Sequence, residues 1–317
     1  MPARLLVKEP TQTSERPPEE LSELRDRPCW LDISDPQSKD FQLAASELAL
    51  HPLAVEDAQQ RHERPKIDQY DDHYFIVFYA LEEPSPGVVR EVEISIFMKQ
   101  NAIVTVHEGE FSARAAVEKR FREGKLNTIG LLLHALLDTM VDQYFSIIDT
   151  LGDRVELLET MVVGGETRDY DTSIRELFEL KRDLLRLRHL IAPERDVLAV
   201  LVRGDIRELR ETGRRAYLQD VYDHITRVTD EIDTFRELTS NVIDAHLASV
   251  SNRLNEVVKV LTSVATVLLV LTVVTGFFGQ NGKFIPYDSE PLFFASLIFM
   301  VAVAAGTALY FRRKGWL

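Results

Sequence analysis

Asn255, Val258, Thr262, Ala265, Leu269, Thr272, Gly276 and Gly279 recur every third or fourth residue in a stretch otherwise rich in Val, Leu and Phe. That spacing sets them on one face of a helix. All but Val258 and Leu269 are small or polar. Two chemistries suit such a stripe. Small residues let helices approach closely inside a membrane. Alternatively, several copies of the helix could surround a water-lined path, with Val258 and Leu269 as apolar constrictions that gate by dewetting. The stripe ends in Gly276-Phe277-Phe278-Gly279-Gln280-Asn281. Its glycines free the backbone for a turn, and Gln280 and Asn281 add neutral amide oxygens. Neutral oxygens suit a hard cation held through its water shell, as Mg²⁺ would be, because it dehydrates reluctantly. The span holds no charged residue and no His, so it offers no conventional proton relay.

Most of the stripe lies in the first of two charge-free segments, Val260–Phe278 and Leu292–Phe311. Each is close to the ~20 apolar residues that a spanning helix needs. The short connection Gly279–Pro291 cannot recross a bilayer, so a transmembrane hairpin is predicted. Arg253 and Lys259 precede the hairpin and Arg312, Arg313 and Lys314 follow it, whereas the loop carries Lys283 alone. The positive-inside rule then puts both termini in the cytoplasm of a cell bounded by this membrane, plasma or inner. Two helices enclose no path by themselves, so the pore reading requires a homo-oligomer.

Upstream, no Gly or Pro occurs between Gly213 and Gly276, and Val221, Ile225, Val228, Ile232, Phe235 and Val242 follow helical steps. One uninterrupted helix of roughly 90 Å is expected at about 1.5 Å per residue, a stalk or a lever into the bilayer. Helices are also predicted over Ile129–Leu158, ahead of Gly164-Gly165, and over Asp171–Ile191, ending before Pro193. Residues 28–127 read as mixed α/β. Strands are expected at Cys29–Ile33, His73–Leu81, Val88–Met98 and Ala102–His107. Helices are expected at Lys39–Leu50 and from His51 onward, where Pro52 suits a first turn. Residues 1–27 are polar and rich in Pro and Glu, which predicts a partly disordered leader without a signal-peptide pattern. The expected fold class is an α+β cytoplasmic domain, then a long helical stalk to residue 259, then a two-helix transmembrane hairpin with a basic tail at 312–317.

Composition narrows the function. The 317 residues hold 37 Lys+Arg and 51 Asp+Glu, of which only Lys283, Arg312, Arg313, Lys314, Asp288 and Glu290 lie beyond Val260. The cytoplasmic body is therefore more acidic than the net charge of −14, which argues against a nucleic-acid partner. Such a body repels itself on oligomerisation, and divalent cations would relieve the repulsion. The one cysteine, Cys29, excludes a disulfide framework and a Cys-rich metal site. No Gly-rich phosphate loop, nucleophile elbow or His-Glu-x-x-His helix occurs, so neither an enzyme nor an organic cofactor is expected.

Ser249–Thr262 (SVSNRLNEVVKVLT), Gly276–Asn281 (GFFGQN) and a hairpin closing on a basic tail with Trp316-Leu317 resemble the CorA family of divalent-cation (magnesium) transporters. His51–Lys66 (HPLAVEDAQQRHERPK) and Leu136–Phe145 (LLDTMVDQYF) extend the resemblance over most of the chain. It implies a CorA-like funnel, a homopentamer whose first span lines a Mg²⁺-selective path while the second faces lipid. By position it implies Gly279, Gln280 and Asn281 as the outer mouth, Thr272 and Asn255 as deeper pore rings, and Leu269 and Val258 as the gate. It further implies regulatory metal sites between neighbouring cytoplasmic domains at Asp57, Asp220 and Asp138. Loss of Mg²⁺ there would let subunits separate and their long helices tilt. The chain departs from the family at Gln280, where Met is usual, and at Lys283, where relatives often carry acidic residues.

The function expected from these features is channel-like Mg²⁺ uptake, with Co²⁺ and Ni²⁺ as further cargo. A proton-coupled Zn²⁺ transporter of the ZntB type is an alternative, although spans and loop lack the Cys and His that Zn²⁺ favours. A membrane-anchored metal sensor is a third reading, and it leaves the stripe and the amide-rich turn without a purpose.

Overall fold

The computed structural model describes residues 3–9, 12–24, 27–85, 87–163, 170–204, 214–279 and 290–316. The chain divides into two compact units, Met1–Asn241 and Val242–Leu317.

The first unit is organised by a sheet of β1 (Ala3–Lys8), β2 (Thr13–Arg16), β3 (Cys29–Ile33), β4 (Lys66–Gln69), β5 (Tyr74–Ser85), β6 (Val88–Lys99) and β7 (Ala102–His107). Their order is β2-β1-β3-β7-β6-β5-β4, with β3 and β7 parallel and the other neighbours antiparallel. β3, β7 and the middle of β5 are buried on both faces. Their sequences accordingly read as near-continuous apolar runs rather than alternations.

One face of the sheet packs its Leu5, Val7, Leu31, Phe75, Phe97 and Val104 into a core with α1 (Lys39–Glu47), α2 (Pro52–Gln60) and a 3₁₀ helix (Pro18–Leu24). Both α-helices start on side-chain caps. Ser38 Oγ accepts the Phe41 N–H at 3.3 Å, and His51 Nδ1 accepts the Leu53 N–H at 3.3 Å beside Pro52. On the opposite face lie α3 (Ser112–Arg122), whose Phe121 meets Trp30 edge-on, and α4 (Ile129–Val163), whose Tyr144 reaches Tyr79 of β5. α5 (Tyr170–Arg203) follows α4, and α6 (Arg214–Phe278) begins in this unit with Val221, Ile225, Val228 and Ile232 all buried.

The second unit contains the rest of α6 and α7 (Glu290–Arg313). Both helices are long and apolar enough to cross a membrane, and most of their apolar side chains are exposed in the single chain. α4 also meets the length and hydropathy criterion, but most of it is buried within the first unit, so its apolar character belongs to a core.

Two sequence expectations are corrected. The expected disordered leader instead contains β1, β2 and the 3₁₀ helix, and Ala3–Val7 pair antiparallel with Cys29–Ile33. The short apolar run Leu5–Val7 is enough, since Leu5 and Val7 are fully buried. α5 does not end before Pro193 but continues through it to Arg203. An interior Pro costs about 3 kcal/mol, and buried Leu187, Ile191, Val197, Leu198 and Leu201 on either side supply packing to offset it. β4 and α3 were not anticipated. Gly164, Gly165, Gln280, Asn281 and Lys283 lie outside the described residues.

Candidate functional site

Asp138 and Asp142 are one turn apart on α4, and with His224 of α6 they bring one ligand atom each within 4.8 Å of one another. Asp142 Oδ1 lies 3.6 Å from His224 Nδ1, and Asp220 Oδ1, one turn before His224, lies 3.9 Å from its Nε2. Asp138 faces His134 Nε2 and Arg120, each at 3.8 Å. Phe145 presents its edge geometry to the His224 ring at 5.6 Å. Burial and the neighbouring Asp138 charge hold the Asp142 carboxyl above the usual Asp value, with His224 opposing them. Burial pushes His134 below its ordinary value against the pull of Asp138. A carboxylate whose ionisation is disfavoured by like charge is relieved by a cation, and two carboxylates with an imidazole form a divalent-metal donor set.

Sequence reasoning selected Asp138 and Asp220 but missed Asp142 and His224. The signal was present as two i,i+4 pairs, Asp138/Asp142 and Asp220/His224, each placing two ligands on one helix face.

Asp57 is not part of this cluster. It lies on α2, where its Oδ2 sits 2.7 Å from Lys66 Nζ. The same ammonium lies 3.2 Å from Glu63 and 3.5 Å from Asp68. Burial lowers the Lys66 pKa, but hydrogen bonds to Asp57 and Glu63 outweigh it and raise it overall. Three carboxylates thus share one internal cation.

In the second unit, Asn255, Val258, Thr262, Ala265, Leu269, Thr272, Gly276 and Gly279 are all exposed in the single chain. The more covered positions in the span of α6 are Ser263, Thr266, Val267, Val270, Leu271, Val274 and Phe278, which follow their own 3,4 spacing on another face. The small and polar stripe is therefore not spent on packing within the hairpin. Thr272 Oγ1 donates to the Leu268 carbonyl at 2.8 Å, which leaves the lone pairs of its hydroxyl oxygen for an incoming donor or cation. The Gly279 N–H closes the helix onto the Thr275 carbonyl at 2.9 Å.

Comparison with known proteins gives a consistent picture. The family model described as "CorA-like Mg2+ transporter protein" matches residues 25–313. The cobalt/magnesium transport protein CorA of Thermotoga maritima is 31% identical over 297 residues, covering 92% of this chain and 84% of the relative. The zinc transport protein ZntB of Klebsiella pneumoniae is 28% identical over 301 residues, covering 92% and 89%. The complete structure of the CorA magnesium transporter of Methanocaldococcus jannaschii superposes with a TM-score of 0.84 at 22% identity, covering 100% of this chain and 99% of that one.

Proposed function

The chain belongs to the CorA-like Mg²⁺ transporter family, and on that premise we propose that it forms a homopentameric, channel-like path for Mg²⁺ uptake. Members of this family are transporters of divalent cations and not enzymes. The observation that carries the pore reading is the stripe from Asn255 to Gly279, exposed along its whole length on a helix apolar enough to span lipid. Small and polar atoms facing hydrocarbon would gain nothing, whereas copies arranged around an axis turn them toward one another and toward water.

In this reading residues 260–278 and 292–311 cross the bilayer, loop 279–291 lies outside, and the basic tail at 312–317 keeps both termini in the cytoplasm. Gly279, Gln280 and Asn281 form the mouth, Thr272 and Asn255 line deeper rings, and Leu269 and Val258 narrow the path. Asp138, Asp142, Asp220 and His224 hold a regulatory cation in the cytoplasmic domain, and Asp57 a second one between subunits. A nitrogen among the carboxylates favours Co²⁺ or Ni²⁺ over Mg²⁺ at the first of these, because imidazole suits transition metals.

Flux into liposomes containing the purified protein tests the proposal. Mg²⁺ entry that needs no proton gradient is expected. Zn²⁺ entry that requires one would replace this reading by the ZntB-type mechanism, and the absence of all metal flux would reduce the hairpin to an anchor.

A further inference from the structure

Glu194 is completely buried in the middle of α5, directly after Pro193. Its Oε1 accepts the Tyr79 N–H at 2.8 Å. Its Oε2 lies 3.0 Å from the Tyr144 hydroxyl of α4, and that hydroxyl lies 2.5 Å from the Tyr79 carbonyl oxygen. The location explains why these groups meet. β4 covers β5 only from Tyr74 to Val77, where Lys66 stands opposite Val77. Two residues further on, Tyr79 presents its N–H and C=O beyond the end of β4, and buried main-chain groups must be satisfied. Glu194 and Tyr144 complete that edge in place of a strand.

Counting protons fixes the state of the acid. Tyr144 has one hydroxyl proton and two oxygens within reach. The Tyr79 carbonyl can only accept, and at 2.5 Å the phenol proton must lie between the two oxygens, since bare lone pairs at that distance would repel. The remaining contact, from Glu194 Oε2 to Tyr144 Oη, then takes its proton from Glu194. No cation contacts Glu194 among the described residues. The titratable groups facing it are Tyr144 from α4, Tyr79 from β5 and Glu91 from β6, and Glu91 is itself held by Arg186 of α5 at 2.7 Å.

We infer that Glu194 is kept as a neutral carboxylic acid and acts as a proton-dependent latch, joining α5 and α4 to the open edge of β5 and loosening when its proton is lost. The device stands on this geometry and is independent of which ion the protein transports. Burial, the largest influence, raises the acid from 4.5 to about 8 and outweighs the hydrogen bonds with Tyr79 and Tyr144, which lower it.

The sign of the pH effect follows. The folded state holds a proton that the unfolded state releases above 4.5, so stability falls as pH rises from there to about 8 and is level beyond. Glu194→Gln keeps an acceptor for Tyr79 and a donor for Tyr144 but cannot ionise. Thermal unfolding of the full-length protein in detergent should therefore show Glu194→Gln gaining on the parent as pH rises. The advantage should grow by about tenfold in the folded-to-unfolded ratio per pH unit within the window, then saturate. A difference between the two proteins that does not change with pH overturns the latch. Infrared spectra of the parent give a second reading that needs no variant. A protonated-carboxyl C=O band should be present at neutral pH and lost as pH passes about 8, and its absence at neutral pH overturns the inference.

Discussion

Gly152 of α4 lies directly against the ring of Phe235 of α6, so closely that a Cβ on Gly152 would stand 2.7 Å from Phe235 Cζ and 3.2 and 3.3 Å from its two Cε carbons. At this point only the Phe235 ring stands between the two helices. On an open helix surface Gly→Ala stabilises by about 1 kcal/mol. Here the clash decides the sign, because overpacking costs about 1–3 kcal/mol. Gly152→Ala should lower the unfolding midpoint, and Gly152→Val should lower it more. A raised midpoint in the alanine variant, read by circular dichroism, would show that the ring simply swings aside.

Much of this architecture was legible in sequence, and the reasons differ by element. The stripe Val221, Ile225, Val228 and Ile232 announced its buried face because a helix repeats every 3.6 residues, and all four are buried. The apolar spans were equally plain. β1 was hidden because its own apolar run is brief, its near partner β2 is polar, and its other partner β3 is more than twenty residues away. Pro193 misled because local propensity opposes a helix that tertiary packing preserves. The cluster of Asp138, Asp142 and His224 was half legible. Spacing reveals which acids share a helix face, but not that residues near 140 and near 224 meet.

Asp142→Asn should weaken divalent-cation protection of the cytoplasmic domain against heat or protease, with Co²⁺ and Ni²⁺ affected more than Mg²⁺ by His224→Ala. Because the Asp142 pKa is raised, protons compete with the metal at higher pH than at an ordinary aspartate. Protection at fixed metal should therefore decline as pH falls. Cation protection identical in parent and Asp142→Asn would return these residues to plain surface acids.

Lys66 Nζ lies 2.7 Å from Asp57 Oδ2, and in the proposed reading it competes there with a regulatory divalent cation. Lys66→Gln frees Asp57, Glu63 and Asp68 from their shared ammonium, and the proposal expects tighter closure by cytoplasmic Mg²⁺. Half-maximal inhibition of liposome flux should shift to lower Mg²⁺ by about two- to fivefold, the value of one partly exposed ion pair of roughly 0.5–1 kcal/mol. An unchanged inhibition curve would detach Asp57 from gating.

Asn281→Ala removes the amide oxygens of the proposed mouth without touching the span. Metal flux should be lost while the oligomer, measured by native mass spectrometry, persists. Full flux in this variant would exclude Asn281 from the ion path.

The two edges of the sheet carry a consequence for assembly. β2 (Thr-Ser-Glu-Arg) and β4 (Lys-Ile-Asp-Gln) are four residues long and largely polar. Short, charged edges resist main-chain pairing with another molecule. Copies crowded at one membrane spot thus cannot zip their sheets into a continuous, irreversible ladder. In the proposed oligomer the contacts are then left to side chains and ions, which dissolve and re-form with the concentration of a solute, so that the assembly stays adjustable throughout the life of the cell.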